Sequence, residues 1–199
     1  MPQHEFLLLS GTEPDRLGLV AEVTKFIAEK GCNVEDSKVV VLGGYAGFMI
    51  LVSGNAAALR RVLDGLDQLK ERGGIRLAPR RVATRRVETA SAPEVVVHAS
   101  AIDHAGIISA LSETVRRYGG NILELESATE SAPMSGEPLF QLRMSVRLPE
   151  TEGAEAELLR ELEAAAAAQG VDLEVHPAPS AEGGPVLHGP ERRARTRPS

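Results

Sequence analysis

Apolar residues recur along this chain at two different spacings. Val20, Val23 and Ile27 follow the three- to four-residue spacing of a helix that packs one face against a core. Residues 140–148 instead alternate apolar with polar side chains, as in a strand with one buried and one solvent-facing side. Because both spacings occur in turn, the pattern predicts amphipathic helices and antiparallel sheets with one covered face.

The same succession of elements occurs twice. An offset of 88 residues places Gly18 over Gly106 and Asn33 over Asn121 without a gap. The predicted strands cover residues 6–10, 33–42, 48–52 and 75–77 in the first copy and 95–99, 121–129, 139–148 and 171–175 in the second. Each copy has the order strand, helix, strand, strand, helix, strand. We therefore predict an α+β chain with two ferredoxin-like βαββαβ domains and antiparallel sheets.

The helix ends carry recognisable residues. Asp15 and Asp103 stand where a side chain would cap the first helix of each copy, because a short carboxylate accepts hydrogen bonds from first-turn amides. Gly31 and the pair Gly119–Gly120 supply the left-handed residue that ends a helix. The second helix is predicted from an apolar stripe, formed by Leu59, Val62, Leu63, Leu66 and Leu69 in the first copy and by Leu158, Leu159, Leu162 and Ala166 in the second.

The domain boundaries follow from this repeat. We predict domains at residues 1–88 and 94–176 with a linker at 89–93, and part of the arginine-rich stretch 78–93 is expected to extend the closing strand. Residues 177–199 hold five prolines, three glycines and four arginines, which predicts a disordered basic tail. Domains of this size gain stability by pairing sheet edges or helices, so a homo-oligomer is expected.

Composition excludes several function classes. The 199 residues carry 28 acidic and 22 basic side chains, a formal charge of −6, which disfavours direct nucleic-acid binding. Aromatic residues make up only 3%, so platforms for stacked bases are scarce. The single Cys32 excludes an internal disulfide framework and a multi-thiolate zinc site. The chain shows no signal peptide and no apolar run of the ~20 residues that cross a membrane, so we expect a cytoplasmic protein.

Catalytic machinery is not visible in the sequence. It contains no His-Glu-x-x-His, phosphate-binding Gly-x-x-x-x-Gly-Lys or Gly-x-Ser-x-Gly motif. His104 follows Asp103, but adjacent side chains point in different directions and only His98 offers a third metal ligand. We predict a protein that is not an enzyme and has neither a metal nor a cofactor.

The turn from the first strand into the first helix is the candidate ligand site of each copy. A helix N-terminus offers unpaired amides and a partial positive charge, which suit a small carboxylate. Gly18 and Gly106 let a backbone approach closely. Asn33 and Asn121 carry donors and an acceptor for an amino acid, although a turn or cap hydrogen bond after glycine remains the alternative for each.

These residues resemble a known family. The turn Asp15-Arg16-Leu17-Gly18, followed by Gly-Cys-Asn-Val-Glu-Asp-Ser at 31–37, resembles an ACT domain, an amino-acid-sensing regulatory module. With Leu42-Gly43 and the tandem arrangement, the pattern is similar to the glycine cleavage system transcriptional repressor family over residues 3–176, more strongly in the first copy.

The resemblance implies a ligand and a role. A small amino acid such as glycine or serine would bind at the turn, with the asparagine of the second strand completing the site across an interface between two modules. The implied ligand-binding residues are Asp15, Arg16, Leu17, Gly18, Asn33 and Val34 in the first copy and Asp103, His104, Gly106, Asn121 and Ile122 in the second. The resemblance further implies control of glycine cleavage or related amino-acid metabolism genes through a transcription-factor partner.

The sequence also departs from the family pattern. Leu17 replaces a common proline, and His104-Ala105 replace Arg-Pro in the second copy, whose site could be vestigial or tuned to another ligand. The hairpin at 130–138 is longer than that at 43–47 and could cover a pocket. The alternative function is a stand-alone regulatory subunit of an amino-acid or folate-linked enzyme. A third is direct DNA binding through the arginines, for which we expect no mobility shift at physiological salt.

Overall fold

The computed structural model describes residues 5–82, 93–131, 136–151 and 153–178. The chain divides into two compact units, Met1–Glu88 (unit 1) and Thr89–Ser199 (unit 2). Among the described residues, no helix is both long and apolar enough to cross a membrane. The same residues contain no group of three or more His, Cys, Asp and Glu side chains placed to hold a metal ion.

Unit 1 contains one antiparallel sheet and two helices. Its elements are β1 (Glu5–Pro14), α1 (Leu19–Glu29), β2 (Asn33–Leu42), β3 (Tyr45–Gly54), α2 (Ala56–Gly73) and β4 (Ala78–Val82). The strand order is β2-β3-β1-β4, which makes β2 an edge strand. Alternate residues of the central strands, such as Leu9 and Ile50, are buried with Val23 and Ile27 of α1 and Leu59 of α2. The other side of this sheet, which no helix of the unit covers, is called the open face of unit 1.

Unit 2 repeats the arrangement. Its elements are β5 (Glu94–Ile102), α3 (Ile107–Arg117), β6 (Asn121–Ser131), β7 (Pro138–Arg147), α4 (Ala154–Ala168) and β8 (Asp172–Pro177). The strand order is β6-β7-β5-β8, again antiparallel throughout. Val97 and Met144 from the sheet are fully buried with Leu111 of α3 and Leu158 of α4. The uncovered side of this sheet is the open face of unit 2.

The predicted fold class and internal repeat are confirmed. The helices α1 and α3 and the strands β2 and β6 begin 88 residues apart, at Leu19 and Ile107 and at Asn33 and Asn121. The left-handed stops are also confirmed, since Gly31 has a φ of 78° and Gly119 a φ of 77°. The predicted stripes of α2 and α4 are buried or partly buried in the two cores.

The predicted caps Asp15 and Asp103 are wrong. Gly18 and Gly106 occupy the cap positions of α1 and α3, and neither helix has a side-chain cap. The amide of Asp15 instead donates to the carbonyl of Gly44 at 2.9 Å, and that of Asp103 to Pro138 at 2.9 Å, so both residues continue the hairpins of their sheets.

The end of each unit also differs from the prediction. The closing strand of unit 1 is residues 78–82 rather than 75–77, because Ile75 and Leu77 are buried in the connection before it. Arg80 and Arg81 lie in β4, as expected for the part of the arginine-rich stretch that extends the closing strand. In unit 2 the strand β8 runs to Pro177, inside the stretch predicted as tail. The rest of the predicted tail, 179–199, and residues 89–92 of the predicted linker lie outside the described residues, as do hairpin residues 132–135.

Candidate functional site

The strand-to-helix turn of unit 1 is an exposed loop that ends on an uncapped helix. Gly18 has a φ of 86°, in the left-handed region that favours glycine. The amide of Glu22 donates to the carbonyl of Gly18 at 2.9 Å. Within the described part of the chain, the amides of Val20 and Ala21 make no such bond, so they point out of the first helical turn. The turn therefore presents donors to an acceptor from outside the unit.

The equivalent turn of unit 2 has the same geometry. Gly106 has a φ of 107°, and the amide of Ala110 donates to its carbonyl at 2.9 Å. A β-carbon built on Gly18 or Gly106 would meet nothing within 4 Å. Glycine is needed at these positions for its backbone conformation, and the space that a β-carbon would occupy stays open to a neighbour or a ligand.

Arg16 is held by its own unit. Its guanidinium makes two bonds to the carboxylate of Glu22, at 2.6 and 2.7 Å, and one to the carbonyl of Gly73 at 3.1 Å. The paired carboxylate raises the pKa of Arg16, and the guanidinium lowers the pKa of Glu22. Since Gly73 ends α2, Arg16 ties the turn to both helices of the unit, and these contacts occupy the side chain that was predicted to hold the ligand.

His104 makes the corresponding contact in unit 2. Its Nε2 lies 2.9 Å from the carbonyl oxygen of Gln169 at the end of α4, and its Nδ1 lies 3.2 Å from that of Ala105. Carbonyl oxygens only accept hydrogen bonds, so the doubly protonated imidazolium satisfies both. The Gln169 carbonyl, then that of Ala105 and the charge of Asp103 raise the pKa of His104. His104 thus positions the turn, as Arg16 does 88 residues earlier.

The remaining predicted residues of the turns differ in their surroundings. The side chain of Leu17 is fully exposed. That of Asp103 accepts a long hydrogen bond of 3.4 Å from the hydroxyl of Thr129 on β6. No polar contact of the Asp15 carboxylate is found in the described ranges, and this group lies exposed beside the helix N-terminus.

Asn33 belongs to a small polar network at the start of β2. Its Nδ2 donates to Glu35 Oε1 at 3.1 Å, and the buried hydroxyl of Ser53 donates to the same oxygen at 2.6 Å. Among the described residues, no donor is found for the amide oxygen of Asn33. This oxygen is therefore available to the ammonium group of a ligand. Val34 and its counterpart Ile122 pack against the cores, which leaves their main chains as the groups a ligand could meet.

The two predicted halves of the site lie at opposite ends of a unit. Asn33 pairs with Ser53, whereas Pro14, next to the turn, pairs with Tyr45. Eight residue steps along β3 separate these rows, which is about 27 Å in a strand. Asn121 and Ile102 are separated in the same way along β7. One unit cannot bring its own turn and its own asparagine onto one amino acid, so a shared site needs a second module.

Two residues that support the turn were not singled out from the sequence. The carboxylate of Glu13 is buried and accepts a 2.5 Å hydrogen bond from the amide of Arg76. Gly11 lies so close to the same connection that a β-carbon would stand 2.3 Å from the Arg76 carbonyl oxygen. The sequence signal for Glu13 was a carboxylate within a largely apolar strand. Unit 2 has Ala101 at the equivalent position.

Comparisons with known proteins agree with this architecture. The family model of the ACT domain matches residues 5–78. The glycine cleavage system transcriptional repressor of Escherichia coli K12 is 27% identical over 154 residues, which cover 77% of this chain and 79% of that protein.

Two solved structures share the fold across both units. An unknown protein from Galdieria sulphuraria has a TM-score of 0.72 at 24% identity, and the match covers 88% of this chain and 99% of that one. A candidate glycine cleavage system transcriptional repressor has a TM-score of 0.66 at 21% identity, with coverage of 87% and 97%. Unit 1 thus matches the ACT domain over residues 5–78, and the chain is similar in sequence to a glycine cleavage system transcriptional repressor and shares its fold with a candidate member of that group.

Proposed function

We propose that this chain is a regulatory protein that senses a small amino acid such as glycine or serine. The observation that carries the proposal is the exposed, uncapped helix N-terminus after Gly18, repeated after Gly106. Free amides and the helix dipole favour the carboxylate of an amino acid at this place. The ligand-binding groups are the main chain of the two turns together with Asn33 and Asn121.

The proposed site is shared by two modules. The turn of one module supplies amides to the ligand carboxylate, and the asparagine of another supplies its amide oxygen to the ligand ammonium. A homo-oligomer provides this arrangement. The edge strand β2 supports it, because Val39, Val40, Val41 and Leu42 are each more than a third exposed. An unpaired apolar edge of this kind is a template for strand pairing.

The regulatory output is proposed to be transcriptional and to pass through a partner protein. The relative from Escherichia coli is named a glycine cleavage system transcriptional repressor, and the match spans most of both chains. A net charge of −6 opposes close approach of this chain to DNA. A transcription factor that reads the ligand-bound state would supply the DNA contact.

Thermal unfolding in the presence of each of the twenty amino acids tests the ligand. A compound that binds only the folded protein raises the melting temperature, and the rise grows with the logarithm of its concentration relative to its Kd. We expect glycine or serine to raise it and large side chains to leave it unchanged. If no amino acid shifts the transition, the proposed sensing function is wrong.

Matched variants test the asparagine. Asn33→Ala removes the amide oxygen proposed for the ammonium group, so it should reduce or abolish the shift. Ser53→Ala disturbs the same Glu35 network from β3 but keeps Asn33, so it should retain the ligand response. Loss of binding in both variants would assign the effect to the network and not to Asn33.

A further inference from the structure

The open face of unit 1 is apolar across three strands. Strand alternation and register place the following side chains on it: Phe6 and Leu8 of β1, Tyr45, Met49 and Leu51 of β3, and Val40 and Leu42 of β2. Val40 is 45% exposed, Met49 54% and Leu42 70%. A shallow groove of about 510 Å³ crosses this face beside Val40 and Met49. Contiguous exposed apolar surface of this kind marks an interaction site.

The duplicated fold supplies an internal comparison. The open face of unit 2 is built from the same strands in the same register, yet its centre is largely polar, and its exposed apolar residue Ile102 lies at the end of β5. Arg143 stands at the position of Met49, and Ser145 stands at that of Leu51. A groove of about 410 Å³ on this face is lined by charged groups that include Glu126, Arg143 and Asp172. Because a unit of this fold is formed with a polar open face, the fold does not require the apolar one.

The charged groups around the apolar face carry both signs. The register puts Asp36 and Lys38 of β2 on the same side as Val40, and Arg80 of β4 on the same side as Leu8, at the two rims of the face. A two-fold axis brings identical surfaces together, so a self-complementary face needs an apolar centre and a rim in which opposite charges can meet. This face meets both requirements, whereas a surface for an acidic or a basic partner would carry one sign.

The area of the face also fits a second copy. The three strands β1, β2 and β3 are ten residues long, and at a spacing of about 4.8 Å they cover roughly 500 Å². Two such faces would remove roughly 1,000 Å² from water, which is about the lower limit for a specific protein interface. Sheets that pack face to face in this way stand about 10 Å apart.

We infer that the open face of unit 1 is a self-association surface on which a second copy of this chain packs the same face. The pairing is distinct from the strand-edge pairing proposed for the ligand site, and it does not depend on amino-acid binding. Unit 2 takes no part in it through its own open face.

Sedimentation equilibrium of the full chain tests the inference. The wild type should form an assembly of an even number of 21.2 kDa chains. The double variant Met49→Arg and Leu51→Ser gives unit 1 the residues that unit 2 holds at these positions, and it should halve the mass. Gln141→Arg places the same charge on the open face of unit 2 and should leave the mass unchanged. A monomeric wild type, or a double variant with the wild-type mass, would overturn the inference.

Thiol labelling locates the contact if the double variant fails to fold. In a Cys32→Ser background, a cysteine introduced by Met49→Cys should be protected from alkylation in the assembly and exposed on dilution. A cysteine introduced by Gln141→Cys should react equally fast under both conditions. Equal rates for Met49→Cys would contradict the inference. Met49 and Leu51 lie four and two residues along β3 from Ser53 and are not part of the hydrogen-bond network of Asn33, Glu35 and Ser53, so the folded variants should keep their ligand response if sensing is correct.

Discussion

Arg16 and His104 hold equivalent turns in place, one through a guanidinium and the other through an imidazole. Each ties a strand-to-helix turn to a carbonyl at the end of the second helix of its unit, Gly73 in one case and Gln169 in the other. A cation at a helix C-terminus also meets the negative end of the helix dipole. The guanidinium keeps its charge at every physiological pH, whereas the imidazole loses it. The turn of unit 2 is therefore held in a pH-dependent way.

The pH dependence of stability follows from His104. Its folded-state pKa is raised, so its contribution is fully present below the unfolded-state pKa of about 6.5 and is lost as the pH rises through the higher folded-state value. We expect the wild type to be more stable than His104→Gln in acid, and the difference to disappear as the solution becomes alkaline. Urea unfolding of both proteins across this range measures it, and subtracting the two curves removes every contribution that the two proteins share. A constant difference would contradict the role of the proton.

Two glycine substitutions distinguish backbone strain from a steric clash. Gly18→Ala places a side chain at a φ of 86° with open space around it, so the cost should be the left-handed penalty of about 1–2 kcal/mol. Gly11→Ala pushes a β-carbon against the Arg76 carbonyl, and the connection before β4 must move. Denaturant unfolding should therefore show a larger loss for Gly11→Ala. A larger loss for Gly18→Ala would show that the connection before β4 moves at little cost in free energy.

At the scale of elements, α2 is the helix with a side-chain cap, and α1, α3 and α4 begin at glycine. The side chain of Asn55 accepts a 2.8 Å hydrogen bond from the amide of Ala58. Helices that need no ligand can satisfy their own first turn in this way. The uncapped starts of α1 and α3 coincide with the candidate site, whereas α4 is uncapped as well and has no candidate site, so the missing cap permits a ligand but does not by itself identify one.

Removing the cap of α2 should cost a measurable amount. We expect Asn55→Ala to lower the free energy of unfolding by about 1 kcal/mol, and Asn55→Gly by only a few tenths. Chemical denaturation of the two variants provides the test, with amino-acid binding as a control that should not change. Equal losses for Ala and Gly would mean that the cap bond contributes little.

Local patterns predicted most elements but not those fixed by distant contacts. The strand β2 and the stripes of the helices follow from alternation and periodicity alone. The closing strand β4 was predicted three residues early, since Ile75 and Leu77 are apolar like strand residues. Both are buried in the core of unit 1, and Glu13 and Gly11 hold Arg76 between them from more than sixty residues away. Residue spacing within a single strand or helix cannot predict a contact between positions so far apart in the chain.

At the scale of the whole molecule, the sequence predicted the repeat. It did not predict how far apart the turn and the asparagine of one unit lie. The offset of 88 residues identified equivalent turns and equivalent asparagines. The sequence could not show that Asp15 continues the hairpin of the sheet, because its bond to the Gly44 carbonyl depends on the register of β1 with β3. Only the register of the strands places Asn33 about 27 Å from the turn of its own unit.

This separation makes the central claim one about pairs of modules. A ligand bound by one turn alone would use the amides of α1 without Asn33. A ligand shared by two modules would use the turn of one and the asparagine of the other, and its binding would stabilise their pairing by mass action.

A crystal structure of the protein with bound glycine or serine tests this claim most directly. The account predicts density for the amino acid with its carboxylate on the amides after Gly18 or Gly106 and its ammonium on Asn33 or Asn121 of another module. Density at any other place, or an amino acid that contacts a turn with no asparagine within hydrogen-bond distance, would contradict it.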